Sequence, residues 1–525
     1  MLDAAERLLA SAAAHIRATS GLSAIDDAQV QLYDLALSKA ELGAARALTT
    51  LAQNSAAVEL ERRVAATFCA EVIANLNGRL LVRCADYGIT QGDLAVLNDP
   101  FVADHLGAVK LAALGRDLSA TGGLPVHLDD EKRLMRDTFR RFADQVVRPL
   151  AAAVHRDDSM IPDEIIEGLK GLGCFGLSVP ERFGGLKPDD RDDSLGMVVA
   201  TEELSRGSLG AAGSLITRPE IVARALIEGG TAAQQARWLP ALAAGEPLCA
   251  VSVTEPGTGS DVASVSLRAT RVDGGWQLNG GKTWCTFAGK AGVILVLART
   301  DAEARPPHRG LSLFLVEKPS TDAKSFVCHS RGGSVTGHAI ATIGYRGMHS
   351  FEMFYDDFFV PDQNLVGERA GEGNGFYFTM RGFSGGRLQT AARACGLMQA
   401  AFDSAVAYAQ SRTVFERKVA DYPLTQSKFA RMGMYIAACR QFAHSVACLM
   451  DAGGGQVEAS LVKLIACRLA EWVCREAMQI HGGIGYAEES DVSRFYVDAR
   501  VLSIFEGAEE TLALRVIGKA LLESD

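Results

Sequence analysis

Apolar residues recur at helical spacing through roughly the first 118 residues, as in Leu32-Tyr-Asp-Leu-Ala-Leu-Ser-Lys-Ala-Glu-Leu and the long amphipathic stretch Val58–Val82. This pattern predicts a helical packing or oligomerisation module over residues 1–118. Leu118-Ser-Ala-Thr-Gly-Gly-Leu-Pro125 is small and glycine-rich, ends in proline, and reads as a linker. The helical period resumes at His127 and predicts a second helical segment, residues 126–247, with a tight loop at Pro180-Glu-Arg-Phe-Gly-Gly185. Over residues 248–365 the period changes. Short β-branched runs at Cys249–Thr254, Trp276–Leu278, Val293–Leu297, Leu311–Val316 and Phe351–Tyr355 alternate with Gly/Asn/Asp turns, which predicts a small β-barrel or sandwich. Residues 366–525 return to helical patterns, at about 376–411, 424–451, 457–480 and 507–522, as in an antiparallel four-helix bundle. The fold class expected is α+β and multidomain: helical module, helical domain, central β domain and C-terminal bundle.

Composition narrows the function. The chain has 525 residues, room for three or four domains at about 100–200 residues each. Hydrophobic residues make up 48% and charged residues 22%, so a large core is expected rather than disorder. A net charge of −10 without a long basic run argues against nucleic acid and anionic membranes as partners. The 11 cysteines are scattered, with no CxxC pair and no zinc spacing, so they read as reduced, mostly buried thiols and no metal site is expected. No apolar run approaches the ~18 residues of a membrane span. The acids in Met1-Leu-Asp-Ala-Ala-Glu-Arg7 suit neither a secretory signal nor a transit peptide, and a cytoplasmic location is expected.

Five stretches carry candidate chemistry. Glu506 follows the apolar run Val501–Phe505 and precedes Gly507. A carboxylate held against apolar walls is a better base than a solvated one. The plainer reading is an acid favoured by a helix dipole, because Glu506, Glu509 and Glu510 open a helical pattern. Val253-Thr-Glu-Pro-Gly-Thr-Gly-Ser-Asp-Val262 follows a strand and can present backbone N–H groups to a phosphate, or be an ordinary glycine turn. In Lys282-Thr-Trp-Cys-Thr286, strand alternation places Trp284 and Thr286 on one face, where they could pack on a flat heteroaromatic ring or simply be half-buried. Arg412 and Phe415 lie three apart at a helix end, hence on one face, suited to a pyrophosphate and an adenine or to capping the helix. Gln479-Ile-His-Gly-Gly-Ile-Gly-Tyr486 ends a long helix in three glycines.

The order and spacing of these five motifs resemble the acyl-CoA dehydrogenase family across residues 127–525. The N-terminal module, Gly344-Tyr-Arg-Gly-Met-His-Ser-Phe351 and Phe505-Glu-Gly-Ala-Glu-Glu510 resemble more particularly the branch acting on (2S)-methylsuccinyl-CoA. The resemblance implies FAD-dependent oxidation of an acyl-CoA to its 2,3-enoyl-CoA, with Glu506 abstracting the α proton and flavin N5 accepting the β hydrogen. Some relatives carry the base just before the arginine of the helix that reads Phe383-Ser-Gly-Gly-Arg387 here, and this chain has Gly386 there. By the same resemblance Val253, Thr254, Gly259 and Ser260 contact the cofactor, Thr254 at the flavin pyrimidine edge and Ser260 at the pyrophosphate and near CoA. Trp284 covers the ring and Thr286 reaches N5. Arg412, Phe415, Gln426, Gln479, Gly482 and Gly483 hold the adenine half across a subunit interface, which implies a homo-oligomer, dimer or tetramer. Gly507 keeps the thioester turn open and Arg387 lies on the CoA and acyl path.

Ala508, Glu510 and Ser384 depart from the family's common residues, and the segment from Phe415 to Gln426 is longer than usual. A substrate carboxylate needs a cationic or hydroxyl-rich pocket floor, and Thr217 and Arg218 are the candidates. An electron-transferring flavoprotein is the acceptor the resemblance implies. A dehydrogenase of a plain short or branched acyl-CoA, an acyl-CoA oxidase and a helical interaction protein without chemistry stay open as alternatives.

Overall fold

Val293-Ile-Leu-Val-Leu-Ala298 is apolar at every position, and the structure uses both of its faces. In the computed structural model, which describes residues 1–21, 25–54 and 56–523, this stretch is the strand β4 of an eight-stranded sheet. The strands are β1 (Cys249–Ser252), β2 (Arg268–Val272), β3 (Gly275–Thr286), β4 (Val293–Arg299), β5 (Leu311–Glu317), β6 (Ser325–Ser330), β7 (Gly333–Ala339) and β8 (Ser350–Pro361). They lie in the order β1-β4-β2-β3-β8-β7-β6, with β5 also paired to β4. Ile294, Val296 and Ala298 enter one core with Trp276, Phe314 and Phe351. Val293, Leu295 and Leu297 enter a second core with Val222, Leu226, Trp238 and Leu239. Those four residues lie on the helices Thr217–Gly229 and Ala232–Ala244, which thus cover one face of the sheet. A period of two fills both faces because both are covered.

The β-branched runs of the sequence are found in β1, β3, β4, β5 and β8. β2, β6 and β7 were not marked by that pattern. β6 reads Ser-Phe-Val-Cys-His-Ser, alternates exposed and half-exposed residues and forms the sheet edge, where burial leaves little apolar signature.

The chain divides into two compact units, residues 1–134 with 390–525 and residues 135–389. The sheet and its covering helices belong to the second. In the first, the N-terminal helices Gln29–Ala52, Glu59–Leu81 and Ala108–Thr121 share a core with the long helices Pro423–Asp451 and Gln456–His481. The alanine-rich texture explains how closely they approach. A β-carbon on Gly43 would stand 2.7 Å from the Phe442 ring, and one on Gly433 would stand 2.9 Å from Leu118. The N-terminal segment is therefore a packing element of its own chain.

Three expectations are corrected. The proposed linker begins inside a helix, because Leu118 is buried against Gly433 and carries the helix to Thr121 before Gly122 and Gly123 turn it at φ 73° and 113°. A helix at Asp491–Leu502 precedes Glu506, with Val492, Phe495, Ala499 and Leu502 buried at helical spacing. The last helical stretch begins at Glu509 rather than at 507 and widens to a π-helix over Leu512–Gly518.

The closest approach generates a stability prediction. A β-carbon on Gly115 would stand 1.7 Å from the Gln426 carbonyl oxygen, which is helix backbone and cannot step aside. Gly115→Ala should destabilise the protein by about 1–3 kcal/mol, the usual range for overpacking a core. Urea unfolding checks it, and an unchanged midpoint contradicts it.

Candidate active site

The helix Asp491–Leu502 ends at Ser503, and the chain then bends through Phe505, Glu506 and Gly507. Glu506 has φ 54° and Gly507 has φ 98°, two successive residues in left-handed backbone. For glutamate this conformation is uncommon and costs about 1–3 kcal/mol, so the surroundings must impose it. Gly507 is required twice over, because a β-carbon there would also meet Leu512 at 2.9 Å. The helix-start reading of Glu506 fails. The next helix opens at Glu509, with Ala508 as its N-cap residue, so Glu506 lies outside it. The apolar run does not enclose the carboxylate either: Glu506 is half-buried and Ile504 is 54% exposed.

Polar contacts hold the bend on several sides. The buried Lys463 ammonium donates to the Gly507 carbonyl, and the Glu509 N–H donates to the Ser503 carbonyl at 3.0 Å. The Arg393 guanidinium sits 5.0 Å from the centre of the Phe505 ring. Arg468 and Tyr33 both donate to the Glu509 carboxylate.

In the unit of residues 135–389 the glycine turn leaves β1 and folds back on itself, with Glu255 and Thr258 exchanging backbone hydrogen bonds at 2.9 and 3.0 Å. Space is open where β-carbons of Gly257 and Gly259 would stand, apart from Thr254 at 3.9 Å from the latter. The Thr283 N–H donates to the Thr254 carbonyl at 2.9 Å, which brings this turn against the Trp284 stretch. Val253 is buried, Thr254 half-buried and Ser260 exposed.

Strict alternation does not hold at Trp284. The register of β3 on β8 shifts between Lys282 and Cys285, and Trp284 itself has φ 56°. The bulge leaves the indole 55% exposed while Thr286 is buried, its hydroxyl 2.9 Å from that of Ser350.

The sequence reading missed the pair that builds this corner. Lys282 is wholly buried and donates to the Val253 carbonyl at 2.8 Å and to Glu255 at 2.9 Å. The same carboxylate accepts from the Ser266 N–H and hydroxyl and the Leu267 N–H, at 2.8, 2.7 and 2.7 Å. Burial works to raise the Glu255 pKa, but Lys282 and these donors outweigh it and hold it below the usual carboxylate range. Burial pushes Lys282 down to about 8 against the pull of Glu255, so both are charged at neutral pH. The signal was available as opposite charges inside two motifs singled out for other reasons.

Thr217 and Arg218 open the helix Thr217–Gly229 and are both buried. The Thr217 hydroxyl donates to Gln389 Oε1 at 2.7 Å, and the Gln389 amide donates to the buried Glu220. Arg218 meets neutral groups, the Ser214 carbonyl at 3.3 Å and the Tyr345 hydroxyl at 3.5 Å. Among the described residues no carboxylate lies within ion-pair distance of it. Tyr345 was not singled out, although it lies in the quoted Gly344–Phe351 loop; it has φ 58°. Arg387 is half-buried, two residues before Gln389.

The residues expected at an adenine are corrected in one respect. The helix Gly375–Ser411 stops before Arg412, and Thr413–Val414 pairs with Arg417–Lys418 as a hairpin. Arg412 and Phe415 therefore do not share a helix face. Phe415 and Glu416 form the hairpin tip at φ 47° and 62°, and Phe415 is 95% exposed. Gln426 is buried, accepting from Arg116 at 3.0 Å and donating to the Ala420 carbonyl at 3.1 Å. Gln479 is exposed, and open space surrounds the β-carbon positions of Gly482 and Gly483. His481 is a packed histidine, stacked on Tyr408 with ring centres 4.4 Å apart, and burial lowers its pKa. Among the described residues no group of three metal-ligating side chains occurs, and no helix is long and apolar enough to cross a membrane.

An open glycine turn beside an exposed indole, together with a glutamate in strained backbone before a glycine, belongs to a family that comparison identifies. Family models describing the N-terminal, middle and C-terminal domains of acyl-CoA dehydrogenases match residues 129–246, 250–358 and 373–522. The chain belongs to the acyl-CoA dehydrogenase family and is an oxidoreductase acting on CH–CH bonds. It is 43% identical over 428 residues to the (2S)-methylsuccinyl-CoA dehydrogenase of Cereibacter sphaeroides, covering 81% of this chain and 75% of that one. The butyryl-CoA dehydrogenase structure from Megasphaera elsdenii superposes with a TM-score of 0.69 at 31% identity, over 76% of this chain and all of that one. A Mycobacterium smegmatis glutaryl-CoA dehydrogenase in complex with FADH2 superposes with a TM-score of 0.66 at 26% identity, over 76% and 96%.

The Glu255–Lys282 pair generates the second prediction. Glu255→Gln leaves a buried ammonium without its counter-charge and should cost about 3–5 kcal/mol at neutral pH. The folded Glu255 carboxyl sits below the ordinary 4.5, so its contribution is complete above that value and disappears as pH falls through the lower folded-state pKa. The stability difference between wild type and variant, measured by denaturant unfolding, should therefore collapse at acid pH. A constant difference throughout contradicts it.

Proposed function

We propose that the protein catalyses FAD-dependent α,β-dehydrogenation of (2S)-methylsuccinyl-CoA to mesaconyl-CoA. Glu506 carries the chemistry in this reading. The observation behind it is a carboxylate held in left-handed backbone, with charged side chains anchoring Gly507 and Glu509 just beyond it. Strain of this kind persists where geometry matters more than local stability.

An acyl thioester has a weakly acidic α C–H because the carbonyl accepts the negative charge. Glu506 removes that proton and holds it on a carboxylate oxygen. Backbone N–H groups of the open Glu506–Gly507 turn are the donors available to the developing enolate oxygen. FAD, when bound, supplies the two-electron acceptor for the β hydrogen. Val253, Thr254, Gly259 and Ser260 are its contacts at the glycine turn, where missing β-carbons leave room for a ligand. Trp284 offers an exposed indole for the flat ring, and the Thr286 hydroxyl one further hydrogen bond. Phe415, nearly bare at a strained tip, suits an adenine held with Arg412, Gln426, Gln479, Gly482 and Gly483 in a homo-oligomer. An electron-transferring flavoprotein is the electron acceptor we assign, and the location is cytoplasmic.

The substrate rests on Arg218. A buried guanidinium facing only a carbonyl and a hydroxyl is an incomplete ion pair, and a ligand carboxylate completes it. Methylsuccinyl-CoA carries such a carboxylate; butyryl-CoA does not. Arg387 remains for the CoA and acyl path. Thr217, whose hydroxyl is already donated to Gln389, supports Arg218 by fixing the start of its helix.

Two outcomes are expected. Glu506→Gln should keep its yellow cofactor yet reduce it with substrate about 10²- to 10⁴-fold more slowly under anaerobic conditions, the range for a lost general base. Near-normal bleaching would remove Glu506 from the role. Arg218→Ala should lose about 2–5 kcal/mol of transition-state binding with methylsuccinyl-CoA, the scale for truncating one member of a buried charge pair. Its kcat/KM with butyryl-CoA should change far less; equal losses on the two thioesters sink the carboxylate assignment.

A further inference from the structure

Residues 1–118 lie outside the three family models, which begin at residue 129. One side chain from this segment reaches the turn that bears Glu506. Tyr33, on the helix Gln29–Ala52, donates its hydroxyl to the Glu509 carboxylate, three residues beyond Glu506. Arg468 donates to the same carboxylate and, at 2.6 Å, to the Tyr33 oxygen, closing a three-membered polar cluster. The Glu509 side chain is only 15% exposed and its contact with Tyr33 is part-buried, while Arg468 closes the cluster from the solvent side at 41% exposure. Burial first, and the neighbouring Glu509 next, raise the Tyr33 pKa, which keeps the phenol a donor at any working pH.

The outer side of the turn borders open space. Ile504, Ala508, Glu509 and Glu510 border a cavity of about 610 Å³ that is also lined by Leu37 and Arg79 of the N-terminal helices and by Leu469 and Trp472. Leu512 packs against Gly507, and polar contacts supplement that packing on the side of the cavity. The polar anchors there are the Lys463 contact with the Gly507 carbonyl, the Glu509 N–H on Ser503, and the Tyr33–Arg468 grip on Glu509. Among these anchors only Tyr33 comes from residues 1–118.

We propose that Tyr33 is a positioning residue for the reaction: the N-terminal segment braces the Glu506 turn through the Tyr33–Arg468–Glu509 cluster. The inference rests on Glu506 being the base. It gives the N-terminal segment a role in turnover in addition to packing. A shift of about 1 Å in a reacting group can cost on the order of 100-fold in rate, so a small relaxation of this turn is measurable.

The test uses the full-length holoenzyme and anaerobic flavin reduction by methylsuccinyl-CoA. Tyr33→Phe and Glu509→Gln should each slow reduction by about 10-fold or more, with KM within about twofold, since the turn rather than the substrate grip is disturbed. The double variant should be no slower than the slower single one, because both changes break one cluster. Hydrogen–deuterium exchange should rise across residues 503–511, a readout independent of turnover and of cofactor loading. Arg515→Ala is the control. Arg515 joins the N-terminal segment at the exposed Asp26, 2.6 Å away, without touching Glu509, and its loss should leave the reduction rate unchanged.

Tyr33→Phe reducing flavin at the wild-type rate, with only a lowered Tm, would overturn the brace and leave a packing contact. Equal slowing by Arg515→Ala would overturn it as well, by showing a general loosening. If Tyr33→Phe does not fold, Glu509→Gln carries the same rate and exchange readouts, and a normal rate there overturns the proposal. Failure of the underlying reading is separate: it appears as Glu506→Gln reducing flavin near normally, whatever Tyr33→Phe does.

Discussion

A glutamate and a glycine in successive left-handed conformations form a turn that the chain would not adopt by itself. The Gly507 backbone costs little, but Glu506 costs about 1–3 kcal/mol there. Much of the unit of residues 1–134 and 390–525 bears on that conformation. The helix Asp491–Leu502 sets where the bend begins, Leu512 closes over Gly507, and Lys463, Arg468 and Tyr33 hold Gly507 and Glu509 just beyond the carboxylate. The carboxylate itself stays half-buried, aimed by the backbone instead of by partners of its own.

Buried cations show how charge is allocated. Lys282 has a carboxylate, a carbonyl and a closed environment, which makes it a structural rivet for the glycine turn. Lys463 is equally buried and donates to backbone at the Glu506 bend. Arg218 faces a carbonyl and a hydroxyl. The first is paired with a carboxylate, the second reaches a strained turn, and the third meets a carbonyl and a hydroxyl. Desolvation penalises all three, so the nature of each partner distinguishes their roles better than burial does.

The N-terminal helices illustrate how small residues decide an interface. Gly43, Gly115 and Gly433 bring helices to distances at which one methyl group would collide. Such contacts are specific in shape but carry no chemistry, and their alanine-rich texture reads in the sequence only as helix. Tyr33 is different in kind, because it exports a polar contact from that packing surface to the Glu509 carboxylate.

Much was legible along the chain. Helical and strand periods located the long helices of the C-terminal segment to within a residue or two, because period and caps are local properties. β4 was visible for the same reason, and so were the glycines that open the two candidate cradles. The motifs also carried the family resemblance, since they occur in order along one chain. What local pattern could not supply was conformation set by distant neighbours. The hairpin at Phe415 and the bulge at Trp284 break the periods from which shared faces were inferred, and both lie in backbone that only the surrounding sheet and turn can impose. The Glu255–Lys282 pair joins residues 27 apart in the chain, and the Tyr33–Glu509 contact joins residues 476 apart. The sequence by itself determined the strongly periodic helices and strands and which residue types were available for chemistry. Only the tertiary structure decided which of those residues meet, because hydrogen bonds and ion pairs act over a few ångströms of space irrespective of separation along the chain.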